Sequence, residues 1–150
     1  MLKHLEKVLQ KENFETRWVP SSHAAPMDQL VVALPSDKNN RVASLWLTPL
    51  PELEEDFGEG ISLLQFFAEL PFQYRAETQS ELGRLILELN NSLPVGSFGL
   101  RQPEGVIFYR YVLMLGPDRT AGGKLVTEVV LLINFLLGKY SERIEGAILA

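Results

Sequence analysis

Residues 78–100 constrain the fold more than any other stretch, because they specify a helix, a stop and a strand in the middle of the chain. Thr78 and Glu81 have the spacing of a capping box, in which each side chain bonds the backbone amide of the other residue. Leucine and isoleucine then recur at helical spacing and predict one apolar stripe. Pro94 predicts the end of this helix. The apolar residues 95–100 follow as a short strand.

Three strands are predicted before this helix from alternating apolar residues, and they cover residues 29–34, 41–48 and 61–70. The turn-rich residues 35–40 join the first two strands as an antiparallel hairpin. Both faces of the third strand are partly apolar, because Leu63 and Phe67 lie on the face opposite Leu64 and Phe66. The second of these faces is packed by the protein itself or by a dimer mate, or it receives an external ligand.

Two helices and one further strand complete the pattern, at residues 2–12, 120–140 and 105–115 respectively. A turn at residues 102–105 pairs this strand with residues 95–100 as a hairpin. Arg110 is expected on the more exposed face of the strand, and Pro71 is expected to end the strand before the central helix. The element order is therefore α-β-β-β-α-β-β-α. It predicts a single α+β domain over residues 1–150 with an antiparallel five-stranded sheet.

Composition excludes several kinds of chemistry. The chain has no cysteine, which rules out disulfides, thiolate metal sites and cysteine nucleophiles. Its net charge of -5 argues against binding to nucleic acid or to an anionic membrane. The N-terminus does not have the pattern of a secretory signal, and no apolar run approaches the roughly 20 residues of a spanning helix. We therefore expect no membrane segment and a cytoplasmic location.

Three polar features invite a chemical interpretation, and each has a simpler one. His23 lies in a predicted loop, and His4 is the only other histidine, so neither has a metal or catalytic partner at ligand spacing. The acidic residues within 49–60 do not follow the EF-hand spacing, and a solvated loop is expected there. The glycine pair before Lys124 resembles the end of a phosphate loop, but the rest of that motif is missing. We predict no catalytic residue, metal ligand or cofactor, and no enzymatic activity.

A surplus of apolar residues indicates binding instead. Leu87 lies opposite the apolar stripe of the central helix, next to the small Gly83, and is a pointer to dimerisation. The final helix is apolar over more than half of its circumference, and Leu131 interrupts its polar side. The residues that we predict for a partner or dimer surface are Leu87, Phe67, Leu63, Trp46, Arg110 and Leu131.

A family resemblance adds to this interpretation. It is carried by the helix-loop-strand segment, by the strand that follows it and by the long final helix. The first two read Leu85-Ile86-Leu87-Glu88-Leu89-Asn90-Asn91-Ser92-Leu93-Pro94-Val95-Gly96-Ser97-Phe98 and Val106-Ile107-Phe108-Tyr109-Arg110-Tyr111. With this element order the chain resembles the type III secretion chaperone-like fold and, within it, is similar to the YbjN family of bacterial proteins.

The resemblance implies a small, acidic and usually dimeric protein. Secretion chaperones of this fold hold extended segments of a partner against apolar surface without hydrolysing nucleotide. YbjN proteins are linked to sensory regulation, and the family pattern supplies no catalytic residues to carry over.

Two functional hypotheses from different classes follow. The first is a non-enzymatic homodimeric module that binds a protein or peptide, either by burying its apolar anchors or by adding a strand at a sheet edge. The second is a small-molecule pocket or enzyme, in which the final helix closes over the sheet and Tyr109, Arg110 and Tyr111 supply polar groups. A flat or grooved apolar surface shared by two subunits would favour the first. A deep cavity that receives Arg110 would favour the second.

Overall fold

A computed structural model describes residues 1–50, 62–116 and 122–149 of the chain. The helices are α1 (Leu2–Lys11), α2 (Gln79–Asn90) and α3 (Gly123–Leu149). The strands are β1 (Glu15–Val19), β2 (Gln29–Ala33), β3 (Ser44–Pro49), β4 (Ser62–Gln73), β5 (Ser97–Arg101) and β6 (Val106–Leu115). A 3₁₀ turn, Ala76–Thr78, leads directly into α2. The predicted α+β class and the single antiparallel sheet are therefore confirmed for the described residues.

The sheet has six strands in the order β1-β2-β3-β4-β6-β5, and every neighbouring pair is antiparallel. The prediction of five strands is wrong, and the observed element order is α-β-β-β-β-α-β-β-α. The additional strand is β1, which has only five residues and is followed at once by Pro20. A strand this short carries little periodicity of its own. Pairing with β2 along its whole length is what forms it.

The core lies between one face of the sheet and all three helices. Leu45, Phe66 and Tyr109 point into it from β3, β4 and β6 and are fully buried. Leu5 and Leu9 of α1 are buried in the same cluster. Because side chains alternate along a strand, every second residue of each strand reaches this core and the residues between point to the other face.

Two element boundaries near α2 differ from the predictions. β4 does not end at Pro71 but continues to Gln73, and its register with β6 shifts between Glu69 and Gln73. Such an irregularity accommodates a residue that has no amide proton for the ladder. Thr78 precedes α2 but forms no capping box. Its hydroxyl donates to the Arg75 carbonyl at 2.9 Å and so closes the 3₁₀ turn instead.

The last helix is longer than predicted and ends at Leu149 rather than near Tyr140. Two contacts extend it: Ile144 is fully buried in the core, and Glu145 forms two hydrogen bonds with the Arg41 guanidinium, at 2.8 and 2.9 Å. The predicted start near Thr120 and the predicted acidic loop, apart from its first two residues, lie outside the described residues.

One side chain fixes the junction between α2 and β5. The Asn90 side chain accepts a hydrogen bond from the Phe98 amide at 2.8 Å and donates one to the Phe98 carbonyl at 3.0 Å. Since β6 pairs with the other edge of β5, Asn90 occupies the outer edge at this position. The β5 edge of the sheet is therefore closed at Phe98 against strand addition.

The loop after α2 is fitted to a buried tyrosine. The Tyr109 hydroxyl donates to the Val95 carbonyl at 2.7 Å. Gly96 has a φ of 69°, and a Cβ built there would lie 2.3 Å from the same hydroxyl. Only glycine meets both requirements without strain. Phe98 then packs edge-to-face against Tyr109, with ring centroids 5.5 Å apart. The stretch that carries the family resemblance thus fixes the architecture of this part of the fold.

Candidate interaction surface

No helix among the described residues covers the second face of the sheet, because all three helices belong to the core cluster on the first. The outward side chains of the strands form this open face. Its most accessible large apolar residue is Met114, which is 65% exposed, while Trp46, Leu63 and Phe67 are half-buried. The open face includes Arg17, Val31, Trp46, Leu63, Gln65, Phe67, Phe108, Arg110 and Met114.

A row of directly opposed residues runs across the open face from one arginine to another. The strand registers pair Arg17 with Val31, Val31 with Trp46, Trp46 with Phe67, and Phe67 with Arg110. These five residues form the central row. At roughly 4.8 Å between strands, its two arginines are about 19 Å apart along the sheet. The row therefore has an apolar middle and a cationic group at each end.

The middle of the open face is an aromatic platform. The rings of Phe67 and Phe108 stack with their centroids 5.3 Å apart. Gly99 of β5 is paired with Phe108, and a Cβ there would lie only 2.4 Å from that ring. The absence of a side chain at Gly99 lets the Phe108 ring lie over the β5 backbone. The platform is broad and apolar, which is the character of the buried centre of protein interfaces.

The open face carries more positive than negative side chains, whereas the whole chain has a net charge of -5. Three arginines and two glutamates point outward from it: Arg17, Arg101, Arg110, Glu15 and Glu69. Arg101 is paired with Glu69 at 2.8 Å, and Arg110 donates to the Gln65 amide oxygen at 2.7 Å. Neither arginine of the central row forms an ion pair with a carboxylate within the described ranges. Both are exposed and open to an anionic partner.

A shallow hollow of about 540 Å³ lies around the β1 edge of the sheet, and Gln10 of α1 and Phe14 line it from the helical side. Val31, Ala33 and Ser44 are among the residues that line it, together with Glu15 and Arg17 at the sheet edge. Its small apolar floor and charged rim fit an aliphatic side chain next to a polar group.

The structure brings four of the six predicted surface residues together. Trp46, Leu63, Phe67 and Arg110 all lie on the open face. Leu87 of α2 and Leu131 of α3 do not, because they lie on helices that pack against the other face, where they are 70% and 52% exposed.

Five of the nine residues named for the open face are absent from the predicted set: Arg17, Val31, Gln65, Phe108 and Met114. Phe108 has the same parity as Arg110 along one strand, so strand alternation was sufficient to assign it to this face. Arg17 could not be assigned because β1 itself was not predicted.

The polar groups of the pocket hypothesis do not converge. Tyr109 and Tyr111 point toward the core, whereas Arg110 between them points out from the open face. Burial raises the pKa of Tyr109 to about 12, with a smaller contribution from Tyr111. The Tyr109 hydroxyl is already bonded to the Val95 carbonyl. The final helix therefore lies over a packed core at this point of the sheet.

Within the described ranges, no group of three or more histidines or carboxylates is placed to hold a metal ion. No helix in the same ranges has the length and apolar character needed to cross a membrane. No protein-family model matches the chain, and no curated protein matches it in sequence. The fold and the surface define an α+β protein with an antiparallel sheet, helices on one face and an aromatic and arginine surface on the other.

Proposed function

We propose that this chain is a non-enzymatic, homodimeric protein-binding module, chaperone-like or a regulatory adaptor, which holds a segment of a partner on its open face. The observation that carries the proposal is the central row, with Trp46 and Phe67 in its middle and, at each end, an arginine that has no carboxylate partner among the described residues. Aromatic residues and arginine dominate the energetics of protein interfaces, and here they occur together on an uncovered sheet.

The chemistry of the row defines the partner segment. The centre of the partner segment carries apolar or aromatic anchors that pack on the platform. Carboxylates on both sides of these anchors pair with Arg17 and Arg110. A spacing of about 19 Å corresponds to roughly 6 residues of extended chain or about 13 residues of helix. Because Asn90 closes the β5 edge at Phe98, the segment binds across the face rather than as a strand added at that edge.

Two further considerations support a protein partner. A chain with a net charge of -5 is a poor ligand for nucleic acid, whose phosphates dominate affinity. The resemblance to the YbjN family and to secretion chaperones is part of the proposal, since such chaperones hold partner segments on apolar surface. No observation favours the small-molecule hypothesis in the same way.

Peptide selection tests this function. A displayed random library of peptides about 15 residues long, enough to span the row as a helix, is selected on the wild-type protein. Counter-selection uses the variant Phe67→Ser with Arg110→Glu. Enriched peptides are expected to carry acidic residues on both sides of an apolar centre. The strongest peptide is then labelled, and its binding is measured by fluorescence anisotropy.

A matched control makes the test specific to the open face. Arg110→Glu is expected to weaken peptide binding at least about tenfold, as loss of an interface arginine does. Arg84→Glu makes the same charge change on an exposed residue of α2 and should leave binding within about twofold. Equal weakening by both variants, enrichment of basic peptides, or equally tight binding of a labelled single-stranded oligonucleotide would each rule out the proposed site.

A further inference from the structure

The outward side of α3 carries charged and apolar residues in a regular order. Six exposed residues at spacings of three and four lie on this side and form the α3 stripe: Lys124, Glu128, Leu131, Phe135, Lys139 and Glu142. Leu131 and Phe135, at its centre, are 52% and 62% exposed. The stripe faces away from the sheet, so it is separate from the open face. Two large apolar side chains, one turn apart on a helix surface, mark a place where another surface can pack.

The order of charges along the α3 stripe is complementary to itself in an antiparallel pair. Consider two copies of α3 related by a two-fold axis level with residue 133. Lys124 of one copy then lies level with Glu142 of the other. Glu128 lies within one residue, about 1.5 Å of helix rise, of Lys139 in the second copy. A parallel pair would instead place each charge beside its own copy, which is repulsive.

The apolar centre follows the same symmetry. With the axis at residue 133, Leu131 of one copy lies level with Phe135 of the other, and the reverse contact is identical. Such reciprocity is the defining property of an isologous interface between two copies of one chain. The apolar contacts are thus enclosed by two oppositely charged pairs on each side.

Gly138 lies beside the α3 stripe and is compatible with this pairing. Glycine inside a helix destabilises it relative to alanine. A Cβ built at Gly138 has no neighbour within 4 Å, so packing within the chain does not require a glycine there. In the antiparallel pair, Gly138 lies level with Glu128 of the second copy. The missing side chain leaves room for the Glu128 side chain to reach Lys139.

We propose that the α3 stripe is the homodimer interface and that its occupant is a second copy of this chain, bound antiparallel. This inference rests on the homodimeric part of the proposed function and supplies its interface. Glu142 also contacts Lys38 within the chain, but both side chains are more than two-thirds exposed, and such a pair exchanges readily. From residue 124 to 142 the stripe is about 27 Å long. This is small for an interface, so we expect dissociation constants on the order of micromolar.

Sedimentation velocity over concentrations from about 1 to about 100 μM tests the interface. The wild type is expected to change from a species of 16.9 kDa to one of twice that mass. Phe135→Glu is expected to remain a monomer with an unchanged far-UV circular dichroism spectrum, since its side chain is exposed. Met114→Glu places the same charge on the open face and should dimerise as the wild type does. A monomeric wild type, or dissociation by Met114→Glu but not by Phe135→Glu, overturns the proposal.

A charge exchange provides a second test that does not depend on the apolar centre. Lys124→Glu with Lys139→Glu makes the stripe wholly acidic, and Glu128→Lys with Glu142→Lys makes it wholly basic. Each variant alone should dimerise at least about tenfold more weakly than the wild type. Their equimolar mixture should form a heterodimer, because every level pair is then oppositely charged. Undiminished self-association of either variant, or no heterodimer, contradicts the antiparallel register.

Peptide binding by the monomeric variant separates this inference from the proposed function. Phe135→Glu leaves the open face unaltered and should retain binding of the selected peptide. If the peptide binds but no dimer involves α3, the interface is wrong and the open-face function stands. If the dimer forms through α3 and no peptide binds, the interface stands and the open-face function is wrong.

Discussion

At the scale of single residues, two buried tyrosines show how the same type of side chain contributes differently to the stability of the fold. The Tyr109 hydroxyl donates to the Val95 carbonyl at 2.7 Å. The Tyr74 hydroxyl is buried but has no hydrogen-bond partner in the part of the chain that the structure describes. A buried hydroxyl stabilises the fold only where it replaces the hydrogen bonds that it made with water.

Paired tyrosine-to-phenylalanine variants test this difference. Tyr109→Phe should lower the free energy of unfolding by about 1 to 2 kcal/mol, because the Val95 carbonyl loses its donor. Tyr74→Phe should leave it unchanged or raise it by up to about 1 kcal/mol, because an unsatisfied hydroxyl is removed. Urea unfolding at neutral pH measures both. An equal loss in the two variants would contradict the assigned hydrogen bond.

Tyr109 also gives the wild type a specific alkaline pH dependence. Burial raises its pKa to about 12, above the ordinary value of 10.0, so the native state keeps a proton that the unfolded chain releases. The associated stability is present below pH 10 and is lost as the pH rises toward 12. The fall in unfolding free energy in this range should be shallower in Tyr109→Phe, by at most about 1.4 kcal/mol per pH unit for one proton.

At the scale of secondary structure elements, the end of α3 is held by an ion-pair cluster that only the fold assembles. Arg41 precedes β3, and its guanidinium bonds both Glu145 oxygens of α3 as well as Asp37, at 2.8 Å. It also lies 5.2 Å from the Phe72 ring centroid. All three charged side chains are half-buried, which makes this cluster better ordered than a surface pair.

Neutralising Glu145 should release the last turns of α3. Hydrogen bonds from the Arg41 guanidinium lower the pKa of Glu145 below its ordinary value of 4.5. Its stabilising effect is therefore complete above pH 4.5 and is lost as the pH falls through the lowered native pKa. In Glu145→Gln, amide hydrogen exchange at residues 141–149 should be faster at neutral pH than in the wild type. The loss of protection at these residues on acidification should be smaller in the variant than in the wild type.

Glu142→Gln is the matched control for this prediction. It removes a carboxylate from the same helical turn, but the partner of Glu142 is the largely exposed Lys38, and such pairs contribute little. In the Phe135→Glu background, where no dimer forms along α3, addition of Glu142→Gln should leave exchange at residues 141–149 close to that of Phe135→Glu alone. Equal fraying in both variants would mean that helix charge, and not the Arg41 cluster, holds the end of α3.

At the scale of the whole molecule, the two proposed surfaces lie on opposite sides. The α3 stripe faces outward from the helical layer, and the open face is the far side of the sheet. A dimer joined along α3 would therefore present two open faces to solvent, pointing away from each other. Such a dimer would bind a partner that carries two segments with higher avidity than one monomer, without any new contact.

The proposed dimerisation along α3 would also make the stability of the molecule depend on concentration. Because the second copy binds only the folded state, the melting temperature of the wild type should rise by about 3 to 6 °C over a hundredfold increase in concentration. Differential scanning calorimetry measures this rise. Phe135→Glu should show a melting temperature independent of concentration, and a parallel rise in that variant would indicate association elsewhere.

The sequence determined those parts of the molecule that depend on local pattern. The apolar periodicity of α1 and α2, the antiparallel hairpin of β2 and β3, and the alternation along β4 and β6 are all as predicted. It also determined that Leu63 and Phe67 share a face of β4, because alternation along a strand fixes parity. The strand registers, and not the sequence, place Trp46 and Arg110 on the same face.

Only the tertiary structure decided the remaining features. β1 forms through its pairing with β2, Asn90 acts on a strand eight residues away, and Arg41 meets Glu145 across most of the chain. The charges of the α3 stripe can be read from the sequence, but the fold decides that this side of the helix is the one left uncovered. The physical reason is the same throughout. Local pattern reports which side chains share a face, whereas contacts between distant residues depend on how the elements pack.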